Sequence, residues 1–224
     1  TSSASVATPT DSSDDRAYAG IHTGRNTGSI SDSSATGSLS FSGRGARAFG
    51  GFAGINEGTL SGTEAGGTVT GNGEIGGFSA GGHTGDNTGT ILDSGAFGRV
   101  SISDGDGSDG LRDLGGFVGD NVGTIARTEA RGAVLADTVS SVVSYNAGGH
   151  TGRNDGTIEE SRASGRVEVS FEGFPGAGIR GDLGGFAGQN GSLIRRTAAT
   201  GSVTGLSTAV SFNAGGHTGL NFGT

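Results

Sequence analysis

The sequence has no cysteine, methionine or tryptophan, and no lysine, so all 14 basic residues are arginines. Without cysteine, neither disulfides nor thiolate-bound metals can hold a fold together. No apolar run approaches the ~18 residues that a membrane-spanning helix needs. Positive charge is scarce: 22 acidic residues against 14 arginines leave a net charge of −8. That balance argues against nucleic acid as a partner, because phosphate binding requires a basic surface. Hydrophobic residues make up only 31% of the chain and aromatics 6%, whereas 50 of the 224 residues are glycine. Glycine is the poorest helix former after proline, which argues against helical bundles and doubly wound α/β folds. Two descriptions fit this composition. One is a disordered low-complexity chain. The other is a repetitive β structure whose glycines turn corners, and periodicity decides between them.

One motif recurs seven times. It reads GIHTGRNTGSI at 20–30, GGFAGINEGTL at 50–60, GGHTGDNTGTI at 81–91 and GGFVGDNVGTI at 115–125. Three more copies follow: GGHTGRNDGTI at 148–158, GGFAGQNGSLI at 184–194 and GGHTGLNFGT at 215–224. Its asparagines, Asn26, Asn56, Asn87, Asn121, Asn154, Asn190 and Asn221, are spaced by 30, 31, 34, 33, 36 and 31 residues. A disordered chain has no reason to keep such a register. A second pattern, Ala-x-Gly-x-Val, with Leu39 for Val in the first instance, follows each of the first six copies, as in Ala163-Ser164-Gly165-Arg166-Val167. Segments such as RVEVSF at 166–171 alternate apolar and polar residues with the period of a half-buried strand. Each unit therefore reads as two or three short strands separated by glycine turns.

The combined pattern, Gly-Gly-apolar-x-Gly-x-Asn-x-Gly-Thr-Ile followed by Ala-x-Gly-x-Val, resembles the GLUG-motif repeat of large bacterial and archaeal surface proteins, including adhesins and protease stalks. The resemblance covers residues 20–224, and departs from the family in placing His at the apolar position in four copies. It implies an extracellular all-β solenoid of about seven units, and no catalytic residues, because the motif has none. Residues 18–224 form the repeat domain; residues 1–17 carry no motif and read as a polar leader, flexible or adding as a strand to a neighbour's edge.

In a solenoid successive coils stack about 4.8 Å apart, so equivalent residues form ladders. The seven asparagines are expected to bond neighbouring coils. Ile30, Leu60, Ile91, Ile125 and Ile158 are expected to line the core. The variable position alternates as His22, Phe52, His83, Phe117, His150, Phe186 and His217. Three residues earlier, Ala19, Ala80, Ala147 and Ala214 accompany His, while Phe49, Leu114 and Leu183 accompany Phe. Close packing requires such compensation, so the true repeat is a pair of units. Histidines two coils apart lie roughly 10 Å from each other. That is too far to share a zinc ion, which sits about 2.0–2.1 Å from each ligand, so they read as hydrogen-bonded structural residues.

The most metal-like stretch is Asp104, Asp106 and Asp109, whose alternate carboxylates could converge on calcium; the competing reading is an acidic turn. No other cofactor is expected. Polysaccharide-active solenoids need paired or clustered acids. Here acids are scattered outside the motif, and Glu159-Glu160 and Arg195-Arg196 read as solvated edges. Thr59, Thr90, Thr124 and Thr157 align as an ice-binding ladder would, but Ser29 interrupts them. No charged and apolar leader marks a signal peptide, so an exported protein would already have lost it. The seventh motif stops at Thr224 without its following strands. That suggests continuation in a longer protein or cover by another copy.

These readings converge on a non-enzymatic extracellular structural protein, a subunit or segment of a self-assembling surface fibre. Its expected partners are copies of itself, head to tail or laterally packed. The alternatives are the stalk or binding region of a surface adhesin, with a host or matrix glycan or protein as ligand, and a polysaccharide-active β-helix enzyme.

Overall fold

The computed structural model describes residues 2–7, 17–43, 47–75, 77–104, 110–138, 143–171, 180–207 and 211–224. Among them there is no helix: the chain is all β, and the strand pairs are parallel. The architecture is a β-solenoid, as the repeats predict. One coil runs Phe78–Gly81, Thr84–Asn87, Thr90–Leu92, Gly95–Ala96 and Val100–Asp104. We number the five sheets by that order. Sheets 1, 2 and 5 contain seven strands each, and sheets 3 and 4 six. Within each sheet every strand pairs with its equivalent one coil away, so Ile91 lies against Leu60 on one side and Ile125 on the other.

Ser2–Ala7, inside the segment read as a leader, is the edge strand of sheet 5. It pairs with the chain's own Gly37–Gly43, Ser2 opposite Gly37 and Ala7 opposite Ser42.

Two apolar clusters run along the axis. The first lies between sheets 5 and 1. Sheet 5 contributes Leu39, Val69, Val100, Val134 and Val167; sheet 1 contributes Phe49, Ala80, Leu114, Ala147 and Leu183. The second is enclosed by sheets 2, 3 and 4 and holds Leu60, Ile91, Ile125, Ile158 and a file of alanines from Ala35 to Ala163. On the outer sheets these apolar residues alternate with outward polar ones, as in Val167, Glu168 and Val169, the pattern of strands buried on one face. The large-against-small compensation expected in the first cluster is present, with Phe49 against Ala19 and Ala80, and Leu114 against Ala80 and Ala147.

A double wall of sheets 1 and 2 separates the two clusters. The motif glycine before the asparagine makes that wall. A Cβ on Gly119 would come within 2.6 Å of the Ala80 backbone nitrogen and 2.8 Å of the Asp113 carbonyl. The same conflict recurs at Gly54, Gly85, Gly152, Gly188 and Gly219. Two backbones meet there without side chains between them, which only glycine permits. Gly28, outside the wall, has nothing within 4 Å of its would-be Cβ. Gly119→Ala is therefore expected to cost about 2–3 kcal/mol of stability, whereas Gly28→Ala stays within about 0.5 kcal/mol of wild type. Chemical denaturation of the two variants measures both.

Candidate functional site

The motif asparagines occupy the corner between sheets 2 and 3 and form one continuous amide ladder. Nδ2 of Asn26, Asn56, Asn87, Asn121, Asn154 and Asn190 each donates to Oδ1 of the next asparagine, at 2.7–2.8 Å. The second amide hydrogen goes to the carbonyl two residues on, as from Asn56 to Gly58 and from Asn87 to Gly89. Asn56, Asn87, Asn121 and Asn154 are fully buried, with Asn26 and Asn190 close to it. Their polar atoms would be costly to bury unpaired, and the ladder pairs them without water.

Beside this ladder the alternating rings stack through the second cluster. Phe52, His83, Phe117, His150, Phe186 and His217 follow one another at centroid distances of 4.6–5.1 Å, with interplanar angles of 8–20°. His22 meets Phe52 edge-on. A phenylalanine thus separates successive imidazoles. His83 and His150 are fully buried, whereas His22 and His217, in the outermost described coils, are exposed.

Each buried imidazole is bonded at both nitrogens. His83 Nε2 lies 2.9 Å from Thr63 Oγ1 of the preceding coil, and Nδ1 lies 2.9 Å from Thr84 Oγ1. Thr63 Oγ1 in turn meets Ser94 Oγ at 3.0 Å. Thr128, His150, Thr151 and Ser161 repeat the arrangement. Burial lowers both imidazoles to about 3, so each ring is neutral and donates from one nitrogen while accepting at the other. Serine, threonine and histidine are close together here, but sealed from substrate and water; they bond coils to each other.

The turn between sheets 3 and 4 carries a feature absent from the motif. Six residues after each of the first six asparagines stand Asp32, Gly62, Asp93, Arg127, Glu160 and Arg196, all with φ between 47° and 63°. Five of the six are not glycine, and each accepts a left-handed conformation costing about 1–2 kcal/mol. Arg127 bonds Asp93 through both Nε and Nη2, and Arg196 bonds Glu160 at 2.9 Å. Glu159 pairs with Arg195 and Glu129 with Arg131. A shallow depression of about 380 Å³ beside this turn is lined by Glu129, Glu160, Arg162 and Arg196. Three of those four are already engaged in ion pairs, an arrangement of solvated edge pairs worth little individually.

Of the calcium candidates, Asp104 ends a strand of sheet 5, and Asp106 and Asp109 lie outside the described residues. Among the described residues, no three His, Asp or Glu side chains are grouped to hold a metal ion. Thr59, Thr90, Thr124 and Thr157 stand in register on sheet 3, between Ser29 and Leu193. No described helix is long and apolar enough to cross a membrane.

Two further features escaped the sequence reading. Arg112 is fully buried in the first cluster, between Phe78 and Tyr145, its guanidinium 5.7 and 5.2 Å from their ring centroids and bonded to Tyr145 Oη at 2.7 Å. It occupies a sheet 1 position that an aromatic takes in both adjacent coils. The other is a group of carboxylates, Asp86, Asp113 and Asp120, in the seam between sheets 1 and 2. Gly-Asp-Asn in two consecutive motif copies was the available signal, since equal motif positions become ladder neighbours. Asp86 and Asp120 are such register partners. Asp113 reaches the seam from sheet 1 and is 5% exposed.

Compared with known proteins, the chain matches no family model, no curated protein and no solved structure.

Removing an interior rung of the ladder strands two neighbours. Asn87→Ala is expected to cost about 2–4 kcal/mol, and Asn26→Ala, which breaks one amide–amide bond, about 1 kcal/mol. Equal losses in urea denaturation would contradict the ladder. Histidine linkage has a definite sign. The folded imidazoles at about 3 lie below their ordinary 6.5. Their contribution is therefore complete above pH 6.5 and declines as pH falls from 6.5 towards 3. His83→Phe should lessen the loss of stability across that acid range, with the share of His150 remaining, as read by denaturation at several pH values.

Proposed function

We propose that this chain is a non-enzymatic structural protein of the extracellular or cell-surface environment, a subunit or segment of a fibre built from seven GLUG-like units in alternating His and Phe pairs. The single observation that carries the reading is the unbroken asparagine ladder, whose members are spent on bonds from coil to coil. Side chains repeated at every coil and consumed internally support an axis bonded continuously along its length. They offer nothing to a substrate.

The parallel register supports lengthening along that axis. Each added strand repeats the bonds of the last, so a further coil joins in the same way whether it belongs to this chain or to another copy. The ring stack supports the same role, because it fills the second cluster with large side chains in a chain otherwise poor in them. A stalk carrying an adhesive region uses the same rod, and differs in remaining monomeric.

Negative-stain microscopy and light scattering of the purified 224-residue chain at rising concentration separate these roles. Fibres with an axial repeat near one subunit length are the expected result. Rods that remain monomeric throughout would replace the fibre with the stalk. Turnover of a polysaccharide that is lost on replacing one Asp or Glu would overturn both.

A further inference from the structure

The glycines that bring sheets 1 and 2 together leave no side chain in the middle of the wall, but the residues beside them still project into its seam. On sheet 2 this file runs Ile55, Asp86, Asp120, Arg153 and Gln189. On sheet 1 it runs Ser79, Asp113, Asn146 and Asp182. We propose that Asp86, Asp113 and Asp120 form a proton-operated clasp between sheets 1 and 2, closed while the cluster holds protons and loosened when they leave. This inference does not rest on the structural role proposed above.

The geometry gives the three carboxylates few donors and leaves a buried oxygen of two of them unpaired. Asp113 accepts from Asn146 Nδ2 at 2.7 Å, and that amide nitrogen also contacts Gln189 Oε1 at 3.3 Å. Asp86 is bonded by Ser79. Asp120 draws on its strand neighbour Asn121 through the backbone. Oδ1 of Asp86 and Oδ1 of Asp120 are buried with no hydrogen-bond partner among the described residues. Register places these two carboxylates on adjacent strands, about 4.8 Å apart. Among the described residues, the cation beside these acids is Arg153, at 2.5 Å from Asp155 and so already shared with a fourth acid. Asp182, beyond Asn146, is bonded by Asn213, and Arg25 and Glu57, on the earlier coils of sheet 2 and its following turn, pair with each other.

Ionising all three therefore buries three negative charges against one divided positive charge. Holding protons removes that repulsion and turns carboxylate oxygens into donors for their neighbours. Burial, as the main cause, raises Asp113 to about 8 and Asp86 to about 7, and raises Asp120 as well, with the neighbouring acids adding to each.

The sign follows. A carboxyl raised above its unfolded value contributes fully below about pH 4, and its contribution is lost as pH rises through 7 to 8. The buried histidines oppose this below pH 6.5, where acid works against them, but are silent above it. The window that reports the clasp alone is thus pH 6.5–9.

The test is thermal unfolding of the full chain across that window, with chelator present. Wild type is expected to lose on the order of 5 °C or more in Tm from pH 6.5 to 9. Asp113→Asn, which keeps the size of the protonated acid and an oxygen for Asn146, should flatten the decline, and Asp120→Asn should reduce it. Asp32→Asn, on the exposed turn, should leave it unchanged. A flat wild-type profile would overturn the clasp, as would Asn variants that decline as steeply as wild type. Should Asp113→Asn not fold, carboxyl-carbon NMR of wild type reads the same groups directly, and midpoints below pH 5 for all three would overturn it. Calcium that raises the wild-type Tm at pH 8, but not that of Asp120→Asn, would also overturn it, by making a cation the occupant of the seam.

Discussion

Everything in this fold depends on two backbones lying against each other with no side chain between them. Sheets 1 and 2 approach so closely that a single methyl group at Gly85 or Gly119 would enter the neighbouring strand. That approach divides the interior into two narrow clusters. Narrow clusters need few large residues, which is how a chain only 31% hydrophobic encloses a continuous interior. The glycine content, which in an ordinary domain would lower stability through chain entropy, here permits the wall on which the division depends.

A thin interior also changes which forces hold it. Aliphatic ladders such as Leu60, Ile91, Ile125 and Ile158 supply the usual apolar burial. Alongside them run the asparagine amides and the Thr–His–Ser contacts, both deeply buried and bonded along the axis. Such bonds contribute modestly when made and cost much more when one partner is missing. They therefore penalise any slip of register. Parallel strands with repeated apolar residues would tolerate a slip poorly in any case, and the buried amides add a penalty that no alternative pairing relieves.

The solenoid was legible because its cause is periodic. Asparagine spacing, glycine turns and the alternation of His22, Phe52 and His83 each report stacking directly, and the inward aliphatic positions followed from them. What escaped was whatever lacked a constant residue type. The left-handed turn recurs at a fixed offset from the asparagine, but is filled by Asp, Gly, Arg or Glu, so its geometry was hidden by its chemistry. Arg112 takes a position where Phe78 and Tyr145 are aromatic, and a charged residue gives no sign of burial until the flanking rings are seen. The carboxylates of the seam were harder still. Asp86 and Asp120 share a motif position, but Asp113 comes from sheet 1, and only the folding of that sheet against sheet 2 brings the three together.

The pairing of coils extends well beyond the rings. His-type coils have Thr84 or Thr151 after the histidine, where Phe-type coils have Ala53, Val118 or Ala187. They have Ser94 or Ser161 where Phe-type coils have Thr63 or Thr128, and acids at the left-handed turn where Phe-type coils have Gly62 or arginine. These differences form one linked set. The threonine of a Phe-type coil reaches forward to the next imidazole, and that imidazole's other nitrogen requires the threonine beside it. At the surface the arginine of a Phe-type coil reaches back to the acid of the coil before. Each coil is thus complementary to its neighbours and not to itself. Two His-type coils in succession would set acid beside acid and deprive an imidazole of its partner, while two Phe-type coils would leave a buried threonine without its ring. The smallest insertion or deletion that preserves every interior bond is therefore a pair of coils, and the pair, not the single motif, is the unit in which this rod can change its length.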